Sequence, residues 1–524
     1  MSGYPRPGSV PATPLRDLAA LLRAPRPAHA AVVTGVTHAS ADVRPGDLYA
    51  ALPGQHRHGA EFVPAAADAG AVAVLTDPAG ASAAASAGLP ALVVADPRAV
   101  LGVVADRVYG EPTKQLSVIG ITGTAGKTST VYLLDSGLRA AGLAAGLIGT
   151  VETRLADLVV DSARTTPEAT DLHAAFAAAL ERGVTAVAME VSSHALALGR
   201  VEGVRFAVGG FTNLGVDHLD FHADAEEYFE AKARLFDGRC RAEIVNADDE
   251  GGRRLVRDGT VTYSASGAPG ADWYAADVKE SGYGQWFVAH GPAGVAVEAG
   301  VAMPGRHSVA NALLAIAALT TIGIDARVAA VGVAACPGVP GRLERVTAPG
   351  SVLGVVDYAH KPDAIVAVLA GLRGVGTGRL ICVIGAGGDR DRGKRPLMGA
   401  AAARGADLVV VTDDNPRGED PAAIRAEVLR GARAAGGAEV VEVAGRRAAI
   451  EEAVRRAGDG DVVALLGKGH ERGQEVAGQV HPFDDRTELT AALTARFTGA
   501  SQRPPAERSP RSSGRNRNAQ GGYR

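Results

Sequence analysis

At 524 residues the chain exceeds one ordinary core, and at roughly 100 to 200 residues per domain it should fold as about three units. Hydrophobic residues make up 47%, charged residues 21% and aromatics 4%, the composition of a soluble α/β protein whose cores are built mainly from Ala, Val and Leu. A formal net charge of -4 gives no global attraction to nucleic acid or anionic lipid, so any phosphate chemistry must be local.

The opening segment, residues 1–14, is Pro-rich, lacks the continuous apolar stretch of a secretion signal and is expected to be disordered. From residue 15, β-rich apolar runs alternate with Ala-rich helical stretches, the pattern of parallel sheets covered by helices. Breaks at Glu111 and Pro112, and at Cys336, Pro337 and Gly338, divide the chain into expected domains of residues 15–112, 113–337 and 338–497. Apolar runs at 116–122, 185–191 and 206–211 mark the middle domain; those at 352–358, 380–385, 408–412 and 462–466 mark the last. Each ends in polar or glycine residues, and open α/β sheets bind ligands just beyond the carboxyl ends of their strands. Residues 498–524 are polar and Arg-rich and read as a disordered, solvated tail. Cys240, Cys336 and Cys382 are odd in number and contain no CxxC pair, so neither a disulfide framework nor a zinc knuckle is expected. No segment offers about 18 uncharged apolar residues. A cytoplasmic monomer without membrane insertion or nucleic-acid binding is expected.

The run at 116–122 leads into Gly123, Thr124, Ala125, Gly126, Lys127, Thr128 and Ser129, then a helix through Leu138 that Gly142 can end. Strand, glycine loop and helix follow in the order a nucleotide triphosphate site requires. Backbone N–H groups wrap the phosphates, Lys127 neutralises them and Thr128 offers its hydroxyl to Mg²⁺. Two further run ends carry polar groups: Glu190, Ser192, Ser193 and His194 at one, Asn213, Asp217, His218 and Asp220 at the other. Read by themselves, Glu190 and His218 are either metal ligands or polar caps of strand ends. On a helix expected over 226–236, Lys232 shares a stripe with Tyr228, Phe229, Leu235 and Phe236, so it is either interior or snorkelling to a rim. An uncharged interior lysine can take up CO₂ and become an oxygen anion suited to a second Mg²⁺.

These strings resemble the Mur ligase superfamily across roughly residues 36–495. The resemblance extends through Thr165-Thr166-Pro167, AKARLF at 231–236, PGRLE at 340–344, DYAHKPDA at 357–364, GGDRDRGKRP at 387–396, DDNPR at 413–417 and GKGHE at 467–471. It implies three α/β domains: a small N-terminal one that holds uridine, a central P-loop mononucleotide-binding parallel sheet and a C-terminal Rossmann-like domain. The implied reaction is ATP-dependent amide formation between diaminopimelate and the D-glutamate γ-carboxylate of UDP-N-acetylmuramoyl-L-alanyl-D-glutamate, through an acyl phosphate, in peptidoglycan synthesis. ATP and two Mg²⁺ ions would be required. By resemblance Thr128, Glu190, His218 and a carbamylated Lys232 surround the metal, and Asn311, Arg342 and Asp357 join the glycine loop around the nucleotide. Thr165, Thr166, Ser192 and Arg200 would contact the sugar dipeptide, with Ser40, Gln55, His56 and Arg57 at its uridine end. Arg390, Asp414, Asn415, Pro416, Arg417, Gly467 and Glu471 would form the amino-acid pocket. Diaminopimelate exceeds lysine by one carboxylate, which Arg390 and Arg417 are suited to grip; lysine is then rejected because buried guanidiniums stay unmatched.

Overall fold

Residues 3–27, 29–54, 56–215, 217–218 and 221–501 are described by a computed structural model of the chain. Three sheets organise them. Gly35–Thr37, Asp47–Ala51, Ala73–Thr76 and Ala91–Val93 form a four-stranded parallel sheet. The largest sheet has eleven strands, with Ser117–Thr122 between Ala186–Glu190 and Phe206–Phe211, all parallel. It continues through Cys240–Asn246 and Val261–Ser264 into the antiparallel strands Trp273–Ser281, Gly284–Gly291 and Val295–Val301. The third sheet sets Leu353–Asp357, Val462–Leu466, Leu380–Ile384, Leu408–Val411 and Glu439–Glu442 parallel, with Glu344–Val346 antiparallel at its edge.

Strands covered on both faces need unbroken apolar runs, and Ser117–Thr122 and Val462–Leu466 read that way because helices pack on both sides. The Lys127–Ala140 helix lies against Arg306–Thr321 and Ala326–Ala334. One apolar cluster continues from Leu314 through Leu343 to Ile365, so the core passes from the central sheet into the third. Among the described residues no helix is long and apolar enough to cross a membrane.

The expectation of disorder over residues 1–14 is corrected from Gly3 onward. Tyr4 is 8% exposed. Arg6 pairs with Asp47 at 2.8 Å, and the N–H groups of Gly8 and Ser9 each donate to the Glu181 carboxylate at 2.8 Å. Thr13–Pro14 then pairs with Val32–Val33. Proline removes backbone donors, but Tyr4, Arg6, Gly8 and Ser9 find partners on folded neighbours. At the other end the Asp485–Ser501 helix passes residue 498, and the rest of the expected tail lies outside the described residues.

One contact at the junction of the first two sheets is frustrated. Asp106, on the Pro97–Val108 helix, faces His173 on Ala169–Glu181, with Oδ1 and Nδ1 3.5 Å apart and neither hydrogen-bonded. His173 Nε2 lies 2.9 Å from the Glu202 carbonyl and must donate to it, which leaves Nδ1 of the neutral ring as an acceptor opposing a carboxylate. Burial pushes His173 down to about 4 and Asp106 up to about 6. Protonation of Asp106 therefore stabilises the fold below its ordinary pKa, and this contribution is lost as pH rises through about 6. Asp106→Asn supplies a permanent donor and is expected to raise Tm by about 1–3 °C at pH 7.5, a gain that shrinks towards pH 4. Thermal melts across that range check it, and an unchanged Tm at pH 7.5 would contradict it.

Candidate functional site

The register places Ile121 beside Glu190 on one side and Gly210 on the other, so three strand ends and their loops converge. Gly126 caps the Lys127–Ala140 helix at φ 88°, and a Cβ there would stand 2.5 Å from Asn311 Oδ1; glycine meets both demands. Asn213 supports the loop by accepting from Ala125 N at 3.0 Å, and its backbone carbonyl accepts from Thr124 N at 2.9 Å. Lys127 Nζ folds back to the Gly123 and Thr124 carbonyls at 2.8 and 3.2 Å. Burial pushes its pKa down to about 8, against the opposing pull of Glu190.

Glu190 is 1% exposed and organises the adjoining loops. It accepts from Thr128 Oγ1 at 3.0 Å and from Thr150 N at 2.7 Å. Thr150 Oγ1 lies 3.1 Å from Glu190 Oε2 and 3.0 Å from Thr165 Oγ1. Thr166 Oγ1 donates to the Glu190 carbonyl at 2.9 Å and accepts from Ser192 N at 3.1 Å, while Ser192 Oγ caps Ala195 N at 3.2 Å. Arg200 reaches the same loop, pairing with Glu168 at 2.8 Å.

The third sheet closes the other wall. Asp357, at the end of its strand, is buried and accepts from Leu343 N and Ala359 N, both at 2.7 Å. Arg342 lies 4.5 Å from the Tyr358 ring centroid and 3.4 Å from Thr128 Oγ1. Lys361 forms an ion pair with Asp217 across the two units. Burial alone would raise the Asp217 pKa, but His218 and Lys361 outweigh it and hold that carboxylate far below its ordinary range. A cavity of about 530 Å³ results, lined by residues 124–129, Thr165, Glu190, His218, Asn311, Arg342 and Asp357 among others.

Of the four residues expected around the metal, two are in direct contact. Thr128 and Glu190 touch, but His218 Nε2 sits 2.9 Å from Asp217, its nearest carboxylate in sequence. Lys232, 1% exposed, donates to the Gly123 carbonyl at 2.9 Å and lies 4.3 Å from the Tyr228 ring centroid. Its pKa falls well below the ordinary lysine value through burial, then through Lys127 and Lys361. Among the described residues no group of three His, Cys, Asp or Glu is placed to hold a metal ion.

The expected amino-acid residues gather at the ends of Leu408–Val411 and Val462–Leu466. Asn415 Nδ2 donates to Glu471 at 2.8 Å, and Lys468, fully buried, donates to Asn415 Oδ1 and Glu471 Oε2, both at 3.0 Å. The Pro416 carbonyl packs on Gly388, and a Cβ on Gly467 would lie 2.5 Å from Asp414 Oδ2. The two arginines flank Gly387, where a Cβ would meet Arg417 Nη1 at 2.9 Å and Arg390 Cγ at 3.9 Å. Their expected burial is corrected: Arg390 is exposed, and Arg417 is half-buried with Gly388 O at 2.9 Å and Glu475 at 3.2 Å. Neither guanidinium is a buried, unmatched charge, so the expected rejection of lysine by a stranded guanidinium does not hold.

Ser40, His56 and Arg57 lie on the four-stranded unit away from the cavity, Arg57 pairing with Glu61 at 2.7 Å; Gln55 lies outside the described residues. The sequence reading missed Thr150, Lys361 and Lys468. Lys361 and Lys468 stood inside DYAHKPDA and GKGHE, whereas Thr150 carried no signal.

Comparison with known proteins matches three family models: the Mur ligase family catalytic domain at residues 32–109, the Mur ligase middle domain at 121–319 and the Mur ligase glutamate ligase domain at 341–469. A Streptomyces coelicolor UDP-N-acetylmuramoyl-L-alanyl-D-glutamate–2,6-diaminopimelate ligase is 55% identical over 94% of this chain and 98% of its own. The Corynebacterium glutamicum ligase of the same name is 48% identical over 86% of this chain and 89% of its own. A solved structure of a ligase so named superposes with TM-score 0.64 at 32% identity, covering 89% of this chain and 96% of that one. The folylpolyglutamate synthase of Mycobacterium tuberculosis, at 19% identity and TM-score 0.56, covering 78% of this chain and 96% of its own, shares the fold.

Proposed function

The chain belongs to the Mur ligase family, and from that premise we infer that it joins diaminopimelate to UDP-N-acetylmuramoyl-L-alanyl-D-glutamate at the expense of ATP. The observation that carries the reading is the network through Glu190, which binds the start of the Lys127–Ala140 helix to Thr165 within one cavity. A phosphate end and a carboxylate end can meet there.

The loop of residues 123–129 serves as the P-loop. Lys127 leaves its two carbonyls to neutralise the γ-phosphate, and Asn311, Arg342 and Asp357 hold the nucleotide from the far wall. The D-glutamate γ-carboxylate, oriented by Thr165, Thr166, Ser192 and Arg200, attacks the γ-phosphorus; the bond to the bridging oxygen breaks and ADP leaves. The uncharged amine of diaminopimelate then attacks the acyl phosphate carbon, and the amide forms as phosphate departs and the nitrogen loses its proton. Asp414, Asn415, Arg417 and Glu471 orient that amine and its distant carboxylate. Ser40, His56 and Arg57 take the uridine end.

The Thr128 hydroxyl and Glu190 carboxylate, oxygen donors 3.0 Å apart, fit Mg²⁺ beside the phosphates, where the ion would offset charge on the transferring group. His218 fits less well, because Asp217 already engages its ring. Burial, then Lys127 and Lys361, push the Lys232 pKa well below the ordinary lysine value, which favours the uncharged amine that adds CO₂ to give a carbamate and a proton. We assign the reaction to the cytoplasm, where ATP and UDP-linked precursors occur together.

Purified protein with ATP, Mg²⁺ and the UDP-muramyl dipeptide should release ADP only when an acceptor amine is added. Diaminopimelate should exceed lysine, glutamate and D-alanyl-D-alanine in kcat/KM by about 100-fold or more, the scale of a lost charge-assisted contact pair. Equal rates with lysine, or release of ADP without any acceptor, would defeat the assignment.

A further inference from the structure

The N-terminal strap touches the part of the molecule that must orient the sugar dipeptide. Tyr4 Oη donates to the Arg164 carbonyl and accepts from the Arg164 N–H, both at 3.3 Å, so one hydroxyl engages both polar backbone groups of a single residue. The next residue is Thr165. Its hydroxyl is 3.0 Å from that of Thr150, which is 3.1 Å from the Glu190 carboxylate, which in turn accepts from Thr128 at 3.0 Å. A path of hydrogen bonds, joined by the covalent Arg164–Thr165 backbone, thus runs from Tyr4 to the first turn of the Lys127–Ala140 helix.

The same strap is anchored elsewhere. Arg6 holds buried Asp47 in the four-stranded sheet, and Glu181 clamps the N–H groups of Gly8 and Ser9 on the helix that also carries His173. A substrate with uridine at one end and a reacting carboxylate at the other spans both units, and its binding depends on the separation of the two subsites. Arg164 contributes through its backbone, since its side chain is 52% exposed.

We propose that Tyr4 is a positioning residue for the nucleotide-sugar substrate: by pinning the Arg164 backbone it sets the Thr165–Thr166 loop against Glu190, and the strap fixes that loop relative to the uridine-holding sheet. The proposal rests on the assignment of Thr165 and Thr166 to the sugar dipeptide.

Tyr4→Phe keeps the buried ring and removes only the hydroxyl. Loss of two weak hydrogen bonds should raise KM for UDP-N-acetylmuramoyl-L-alanyl-D-glutamate about three- to tenfold, with KM for ATP and diaminopimelate unchanged. Glu181→Gln, which loosens the second anchor, should move the same constant in the same direction by less. Calorimetric titration of both variants with the UDP-muramyl dipeptide alone gives a readout independent of turnover and should show the same weakening. A lower Tm with unchanged KM and affinity would make Tyr4 merely structural and overturn the proposal. A wild-type preparation that forms no product with this substrate would instead overturn the functional assignment, so the two failures are distinguishable.

Discussion

Lys232→Ala is expected to lower kcat by at least about 10²–10³-fold while the protein stays folded, the loss typical of removing one preorganised charge-stabilising group. A lysine that is 1% exposed and bonded to one carbonyl is an expensive way to fill space, because burial disfavours its charged form. The environment makes the charge still less favourable: Lys127 donates to the same Gly123 carbonyl at 2.8 Å, so two amines crowd a single oxygen. An uncharged amine at that point is nucleophilic towards CO₂, and the carbamate would replace a cation with an anion beside the phosphate loop. Wild-type enzyme depleted of CO₂ should lose activity and regain it with bicarbonate, whereas Lys232→Ala should not respond. Steady-state kcat with circular dichroism as a folding control decides the matter. Near-wild-type turnover of the alanine variant would remove the carbamate from the mechanism.

Arg417→Ala should raise KM for diaminopimelate by about 30- to 100-fold and bring its kcat/KM close to that of lysine, as expected for loss of a forked contact to carboxylate. The backbone at Arg417 sits at φ 52°, and its side chain is already held by Gly388 O and Glu475. A guanidinium so fixed loses little freedom on meeting its ligand. Arg417→Lys should recover little, because an ammonium lacks the planar fork. Arg390 is exposed, so Arg390→Ala should have the smaller effect. Competition between lysine and diaminopimelate in one reaction reads both effects, and unchanged selectivity in both alanine variants would place the discriminating group elsewhere.

Much of this is legible in the sequence itself, and the physical reason differs by feature. Runs such as 206–211 and 462–466 coincide with strands because a sheet covered on both faces cannot interrupt its apolar sequence. Helical spacing puts Lys232 on the apolar stripe but leaves burial and snorkelling open; the fold buries it, and the helix expected at 226–236 divides into Ala225–Ala233 and a tighter turn at Arg234–Phe236. What escaped depends on partners distant in the chain. Tyr4 finds its anchor 160 positions away, so proline content pointed to disorder where tertiary contacts supply order. Lys361 meets Asp217 only because two sheets face each other across the cavity. The solvent access of Arg390 likewise follows from a loop path that local sequence does not encode, whereas the contact of His218 with Asp217 joins neighbours in sequence.

Gly467 has consequences for how the two substrates of the third unit sense each other. Its N–H donates to the Asp357 carbonyl at 3.0 Å, and its α-carbon is so close to Asp414 that a Cβ would stand 2.5 Å from that carboxylate. Under the proposed assignment, a wall one residue thick would separate the nucleotide from the incoming amino acid. The two subsites would then share Gly467 as a common wall, and thermodynamic reciprocity requires that any tightening ATP confers on diaminopimelate be returned to ATP in equal measure.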